Sequence, residues 1–322
     1  MNPSDDIMIR THDLGKAYGQ VQALKGLDLR VHKNSIFGFL GPNGAGKTTT
    51  MKLLLGLIRP TSGSGTAFGQ DIVRDSIAIR SRIGYLPQQP HFIPEMTARE
   101  TLRLTARFFF AGPSQAIEAR IDEMLDLVGL RDKADRPVKG FSGGERQRLG
   151  LAQAQINDPD LLILDEPSAA LDPMGRLAVL RVMQRLRERT TIFYSTHILD
   201  DVQQVSDTVA ILNEGELVAQ GPIEHLLAGS DRPVYTLSLW GDVDATRSRI
   251  ADLPYVASVD VTNSNGTTSW QVTVTEASVA QERLLREVLT DEAVTVTEFH
   301  RKTYELEEVF ASFVEGDNHG RQ

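Results

Sequence analysis

Gly41-Pro42-Asn43-Gly44-Ala45-Gly46-Lys47-Thr48 satisfies the spacing G-x-x-x-x-G-K-[ST]. The apolar run 35–40 before it reads as a strand, and 49–58 after it as a helix, so the motif has the strand, loop, helix context that its chemistry requires. Glycine at 41, 44 and 46 lets main-chain N–H groups, those of Asn43 and Ala45 included, converge on phosphate oxygens without a Cβ in the way. The start of the following helix adds partial positive charge at the same place. In this reading Lys47 holds the β- and γ-phosphates, the Thr48 hydroxyl binds Mg²⁺, and Thr49 donates to the α-phosphate. The loop alone does not separate transporters, GTPases, kinases and recombinases.

Around this loop, the first 230 residues alternate short β-rich runs with helical stretches, the pattern of a mainly parallel sheet covered by helices. Strands are expected at 7–13, 21–31, 161–164, 191–195 and 208–212, with Leu27, Leu29 and Val31 on one face of the second. Helical spacing at 97–111 and 114–128, with Leu102, Leu104, Phe108, Ile117, Ile121, Met124, Leu125 and Val128 as the apolar positions, suggests a separate helical lobe. Asp172 and Pro173 form an N-cap and first-turn pair for a helix running to about 188. A boundary falls near 229–233, dividing the chain into domains 1–230 and 231–322. The second domain reads as βαββαβ, a small ferredoxin-like α+β unit, followed by a helix at 304–314.

Composition narrows the function. The 322 residues hold 34 Lys plus Arg against 43 Asp plus Glu, a net charge of −9, which disfavours a general nucleic-acid coat or an anionic-membrane binder. Cysteine is absent, so thiol nucleophiles and Cys-ligated metal centres are excluded. Asp5 and Asp6 stand where a secretory signal would be basic, and no run approaches the ~18 apolar residues of a membrane span. The chain is therefore expected to stay cytoplasmic, without inserting directly into a membrane.

Leu161-Leu162-Ile163-Leu164-Asp165-Glu166-Pro167 is a buried-strand sequence ending in two acids, which is costly unless a cation compensates the charge. Mg²⁺ on Asp165 supplies that compensation. Glu166, one residue on, is aimed differently by strand alternation and by Pro167, toward an attacking water, and is assigned general base. A third motif, Phe141-Ser142-Gly143-Gly144-Glu145-Arg146-Gln147-Arg148, lies 23 residues before Asp165, counted from Ser142, and opens a helix. Its hydroxyl and glycine N–H groups at a helix start form a second anion site.

With these motifs the chain resembles the ATP-binding-cassette (ABC) ATPases over about 230 of its 322 residues. The resemblance implies a P-loop NTPase cassette, α/β in class, with a RecA-like core, an antiparallel β subdomain and a helical subdomain. It implies ATP and Mg²⁺ as cofactors and a homodimer in which Ser142, Gly143 and Gly144 of one copy close over the γ-phosphate held by the other. It places Tyr18 as the adenine-stacking aromatic, Gln88 as the Mg²⁺-sensing glutamine, Asp172 in the loop that contacts the partner copy, and His197 as the switch histidine on the γ-phosphate. Two departures, Glu145 where glutamine is frequent and Ser168-Ala169-Ala170 in place of Thr-Ser-Gly, remove no reactive group. A separate transmembrane permease is the expected partner, docking near Gln88 and 89–140, with Phe92, Ile93, Pro94 and Met96 as candidate contacts.

The alternative is a soluble ABC ATPase of translation, DNA repair or chromosome maintenance. The single cassette, the absent cysteine and the mere 95 residues between Lys47 and Ser142 count against each of these. A single cassette with a compact tail ending Leu306-Glu307-Glu308-Val309-Phe310 is similar to ATPases of drug-resistance, sodium-efflux and copper-processing systems, so export is expected over uptake.

Overall fold

The structure is a computed structural model that describes residues 6–169, 171–227, 233–241, 243–264, 267–291 and 293–302. It divides into two units, Met1–Ile223 and Glu224–Gln322.

In the first unit a six-stranded sheet runs in the order Glu216–Pro222, Thr208–Asn213, Ile36–Leu40, Thr191–Thr196, Leu161–Asp165, Ile83–Leu86. Every neighbouring pair is parallel except the Asn213-Glu214-Gly215 hairpin at one edge. Ile36–Leu40, Leu161–Asp165 and Thr191–Thr196 are buried along their whole length, which is why 161–164 and 192–194 read as apolar runs rather than alternating ones, with Asp165, Ser195 and Thr196 following at the carboxyl ends. Phe193 packs between Phe37 and Phe39 with ring centroids 5.6 and 5.3 Å away. The register pairs Leu40 with Thr196 and Asp165 with Ser195. The carboxyl ends of three strands therefore stop side by side, and the chain leaving each enters one crevice, where open α/β sheets place their ligands.

A second, antiparallel sheet is built on Ile7–Tyr18. The single strand expected at 21–31 is in fact two, Val21–Leu27 and Arg30–His32, both pairing with Ile7–Tyr18. The break is made by Thr11, whose hydroxyl donates to the Leu27 carbonyl at 2.6 Å and accepts from the Leu29 N–H at 2.8 Å. Leu27, Leu29 and Val31 are all buried despite the break. Ser62–Ala67 also joins this sheet, although Ser-Gly-Ser-Gly-Thr-Ala carries no apolar alternation. Gly63 explains the missing signal: a Cβ there would sit 1.9 Å from the Asp13 carbonyl oxygen, so close backbone approach chose the residue.

The helical lobe holds Ala98–Phe109 and Ser114–Leu127. Thr97 and Glu100 form a complete capping box at the first. Arg99 reaches Asp122 at 2.7 Å, and Arg103 reaches Glu118 at 2.9 Å, so ion pairs tie the two helices together. The Arg103 guanidinium holds the Glu118 carboxyl below the usual carboxylate range. The buried face of the first helix is Ala98, Thr101, Leu102 and Ala106, whereas Leu104 and Phe108, read from spacing as apolar-face positions, are exposed.

The second unit is a four-stranded antiparallel sheet in the order Val256–Ser264, Thr267–Val274, Val234–Gly241, Val294–Arg301. Helices Asp244–Ala251 and Ala277–Val288 connect strands that have one other strand between them, the split βαβ arrangement. Leu237, Leu239, Trp270, Val272, Ile250 and Leu284 form its core. The helix expected at 304–314 lies outside the described residues.

Candidate functional site

Leu40 ends its strand and the chain turns through 41–46 into helix Lys47–Leu54. Gly46 caps this helix at φ 108°, in the left-handed region, and a Cβ there would lie 2.6 Å from the Ala23 carbonyl oxygen. A Cβ on Gly41 would lie 2.3 Å from the Leu212 carbonyl oxygen. Both glycines are therefore demanded by backbone threaded against backbone. Beside the loop is a cleft of about 360 Å³. Asn43, Gly44, Gly46, Lys47, Thr48, Thr49, Gln88 and Glu166 line it, together with Pro42 and Ala23. Ala45 is buried, and its carbonyl accepts from the Gly215 N–H at 3.0 Å.

The two acids enter from the strand Leu161–Asp165. Asp165 accepts from the Thr48 hydroxyl through Oδ2 at 2.9 Å and from the Ser195 hydroxyl through Oδ1 at 2.6 Å. Glu166 has φ 50°, unusual for a residue with a side chain. Its Oε1 lies 3.1 Å from Lys47 Nζ and its Oε2 lies 2.9 Å from His197 Nδ1. Lys47 also donates to the carbonyls of Gly41 and Pro42 at 2.6 and 3.2 Å. Lys47 and Glu166 are only 6% and 5% exposed, so each neutralises a charge that would otherwise be buried alone. Nearby, burial pushes the Tyr85 hydroxyl up, and the Asp165 charge adds to the effect.

Other residues singled out in the sequence lie elsewhere. Tyr18 is half exposed and does not line the cleft; the Lys16 ammonium sits 5.0 Å from its ring centroid. Ser142 is exposed at the start of helix Gly143–Gln155 and does not line the cleft either. Its hydroxyl accepts from the Glu145 N–H at 3.2 Å while the Glu145 carboxylate accepts from the Ser142 N–H at 2.8 Å and from Lys133 at 2.6 Å. The glutamate that replaces a frequent glutamine thus completes a capping box and an ion pair. A Cβ on Gly143 would meet nothing within 4 Å, and one on Gly144 only Gly175 and Leu171 at 3.9 Å. Asp172 occupies the N-cap ahead of Pro173, but its carboxylate makes no capping hydrogen bond, so the helix start rests on Pro173 and backbone geometry.

Ser195, Asp201 and Arg176, none of them singled out in the sequence, support the site. Ser195 touches both acids, its hydroxyl donating to Asp165 Oδ1 at 2.6 Å and accepting from the Glu166 N–H at 2.9 Å. Asp201, fully buried, accepts from Ser168 and from Arg176, joining the chain just past Glu166 to the helices Pro173–Leu186 and Leu199–Val205. Such contacts have no local signature, because each joins residues 25 or more positions apart. Asp201→Ala would strand the Arg176 guanidinium and the Ser168 hydroxyl. With Asp200 still 3.4 Å from Arg176, the expected loss is about 3 kcal/mol, at the low end for a broken buried pair, read as a lowered urea midpoint with unchanged m-value.

A family model described as ABC transporter matches residues 24–169. An uncharacterised ABC transporter ATP-binding protein of Bacillus subtilis is 38% identical over 307 residues, covering 95% of this chain and 99% of that protein. A Nod factor export ATP-binding protein of Cupriavidus pinatubonensis is 36% identical over 78% of this chain and 77% of its own length. Among solved structures, an ATP-binding cassette in a dimeric, post-hydrolysis state bound to ADP and phosphate superposes with a TM-score of 0.62. It is 25% identical and covers 67% of this chain and 99% of that one.

Proposed function

The chain belongs to the ABC transporter ATP-binding proteins, and from that premise we propose that it hydrolyses ATP to drive a separate membrane-spanning permease, in the export direction. The observation that carries the reading is the meeting of Lys47 and Thr48 with Asp165, Glu166 and His197 at one end of the parallel sheet.

The cleft's donors suit Mg²⁺. Thr48 and Asp165 present hard oxygens in one place, and no group of three or more His, Cys, Asp or Glu exists among the described residues to cage a metal. That is the habit of an ion that takes few protein ligands and completes its shell with phosphate and water. Thr48 and Asp165 would hold it, with Gln88 on the same cleft, and it would neutralise charge on the β- and γ-phosphates. The main-chain amides of 43–49 receive the phosphates, and the γ-phosphate competes with Glu166 for Lys47. Once Lys47 turns to phosphate, Glu166 is free to take a proton from water as the water oxygen bonds to the γ-phosphorus and the bond to the β-phosphate oxygen breaks. His197, already on Glu166, is placed to steady that phosphate.

Ser142 and Gly143 are exposed and do not line the cleft of their own chain, which favours a homodimer in which each copy caps the other's nucleotide. ADP would loosen the dimer and ATP tighten it. A groove of about 370 Å³ lined by Leu57, Tyr85, Pro87 and Phe109, with Ile93 also exposed, suits a cytoplasmic helix of the permease. No helix among the described residues is long and apolar enough to cross a membrane. The chain would then work at the cytoplasmic face of the membrane. The soluble translation, repair or chromosome role is not favoured by relatives named for export.

Purified chain with Mg²⁺ is expected to release phosphate from ATP, and Lys47→Ala to weaken ATP binding about 10- to 100-fold, the worth of a charge-assisted hydrogen bond. Phosphate release unaffected by Lys47→Ala, or none from the wild type even with its permease, would overturn the proposal.

A further inference from the structure

We propose that Ser195 is a positioning residue that sets both acids of the site through one hydroxyl; this rests on the reading of Glu166 as general base. Ser195 is fully buried near the end of the strand Thr191–Thr196, directly beside Asp165 in the parallel register. Its hydroxyl has one proton, and that proton goes to Asp165 Oδ1 at 2.6 Å. Its oxygen then accepts from the Glu166 N–H at 2.9 Å. Both contacts are thereby given a direction.

Two consequences follow for the acids. With Oδ1 held by Ser195, Asp165 offers Oδ2 to Thr48. Glu166 departs from strand geometry to φ 50°, a conformation that persists only when its surroundings over-determine it. The bond from its N–H to Ser195 is one such determinant, since otherwise that buried donor would lack this partner. The departure is what carries the Glu166 carboxylate toward Lys47 and His197. Thr196 and His197, further along the same segment, place the histidine against the acid that Ser195 positions, so one strand end supplies both the switch and its alignment.

Ser195→Ala removes one oxygen and adds no volume. In the full-length chain it is expected to lower the single-turnover rate of ATP hydrolysis about 10- to 100-fold while leaving ADP affinity, measured by equilibrium binding, within twofold. The decisive readout is the double variant. Because Ser195 also holds Asp165, adding Ser195→Ala to Glu166→Gln is expected to lower the residual rate by a clearly smaller factor than in the wild type, the part carried through Glu166 being already lost. Full activity of Ser195→Ala, or the same fold-loss in both backgrounds, would overturn the assignment. Ser195→Cys, which fills the same space with a weaker donor and acceptor, is expected to fall between wild type and alanine. It decides the matter if the alanine variant does not fold, full activity again counting against the proposal. Normal turnover by Glu166→Gln alone would instead remove the general-base reading, whatever Ser195 does.

Discussion

Glu166→Gln is expected to reduce ATP hydrolysis about 10²- to 10⁴-fold, the contribution of a positioned general base, without loss of ATP binding. The amide has the shape of the carboxylate and can still meet His197, so the geometry around it persists. What it lacks is the ability to take a proton from water. It also lacks the charge that holds Lys47 in the resting site, where the two groups are 3.1 Å apart and nearly inaccessible. Lys47 is then available to phosphate without first leaving an ion pair, so ATP and ADP are both expected to bind at least as tightly as in the wild type. Hydrolysis no longer opens the assembly, and ATP should drive the chain into a long-lived dimer visible by sedimentation. Phosphate release at the wild-type rate would remove Glu166 from the mechanism, and slow release with weakened nucleotide binding would make it a structural partner of Lys47.

Gly143→Asp is expected to abolish turnover about 100-fold or more while leaving the isolated chain intact. Within the chain the new side chain meets no neighbour, since a Cβ at 143 has nothing within 4 Å. An acidic group in the first turn of helix Gly143–Gln155 is even favoured by the helix dipole. Thermal stability and nucleotide affinity of the monomer should therefore match the wild type. If another copy's γ-phosphate occupies that open face, the carboxylate puts like charge where stabilising donors belong, a loss comparable to removing one transition-state donor. Mixing gives the sharper result. A chain carrying Lys47→Ala retains an intact Ser142 face, and one carrying Gly143→Asp retains an intact phosphate loop. Together they form one complete site, so two inactive preparations should regain activity on mixing. A site contained within one chain predicts no recovery.

The resting geometry relates these two results. Lys47 and Glu166 satisfy each other, and Asp165 is satisfied by Thr48 and Ser195. Nucleotide exchanges one set of partners for another rather than filling a void of unpaired charge. Asp201, held by Ser168 and Arg176, ties the segment after Glu166 to the helix that follows His197. A change at the acids thereby has a packed route toward the helix after Asp172, whose carboxylate is not committed to capping.

Much of this was legible in the chain order of residues. Phosphate loop, paired acids and the Ser142 helix start are local motifs defined by short spacing, so residues 41–48, 161–167 and 141–148 stand out from the sequence unaided. The buried strands are equally plain, because both faces are covered and their central positions are apolar. Less was legible where a residue answers to something distant. Val21–Val31 reads as one strand because its alternation is unbroken, and it is divided where the Thr11 hydroxyl across the sheet takes the Leu27 carbonyl and the Leu29 N–H. Leu104 and Phe108 carry helical spacing yet face outward, since period alone does not say which apolar stripe is covered.

Local order along the chain determined the family and its chemistry, through a glycine-rich loop, a carboxylate pair and a Ser-Gly-Gly helix start. Tertiary structure alone decided which of those groups share a cleft, that the Ser195 hydroxyl bonds to both acids, and that Ser142 does not line that cleft. The reason is range. Motif chemistry is set by neighbours a few bonds away, whereas strand register, the side chains opposite and the face left open are set by segments that meet only after the sheet has closed.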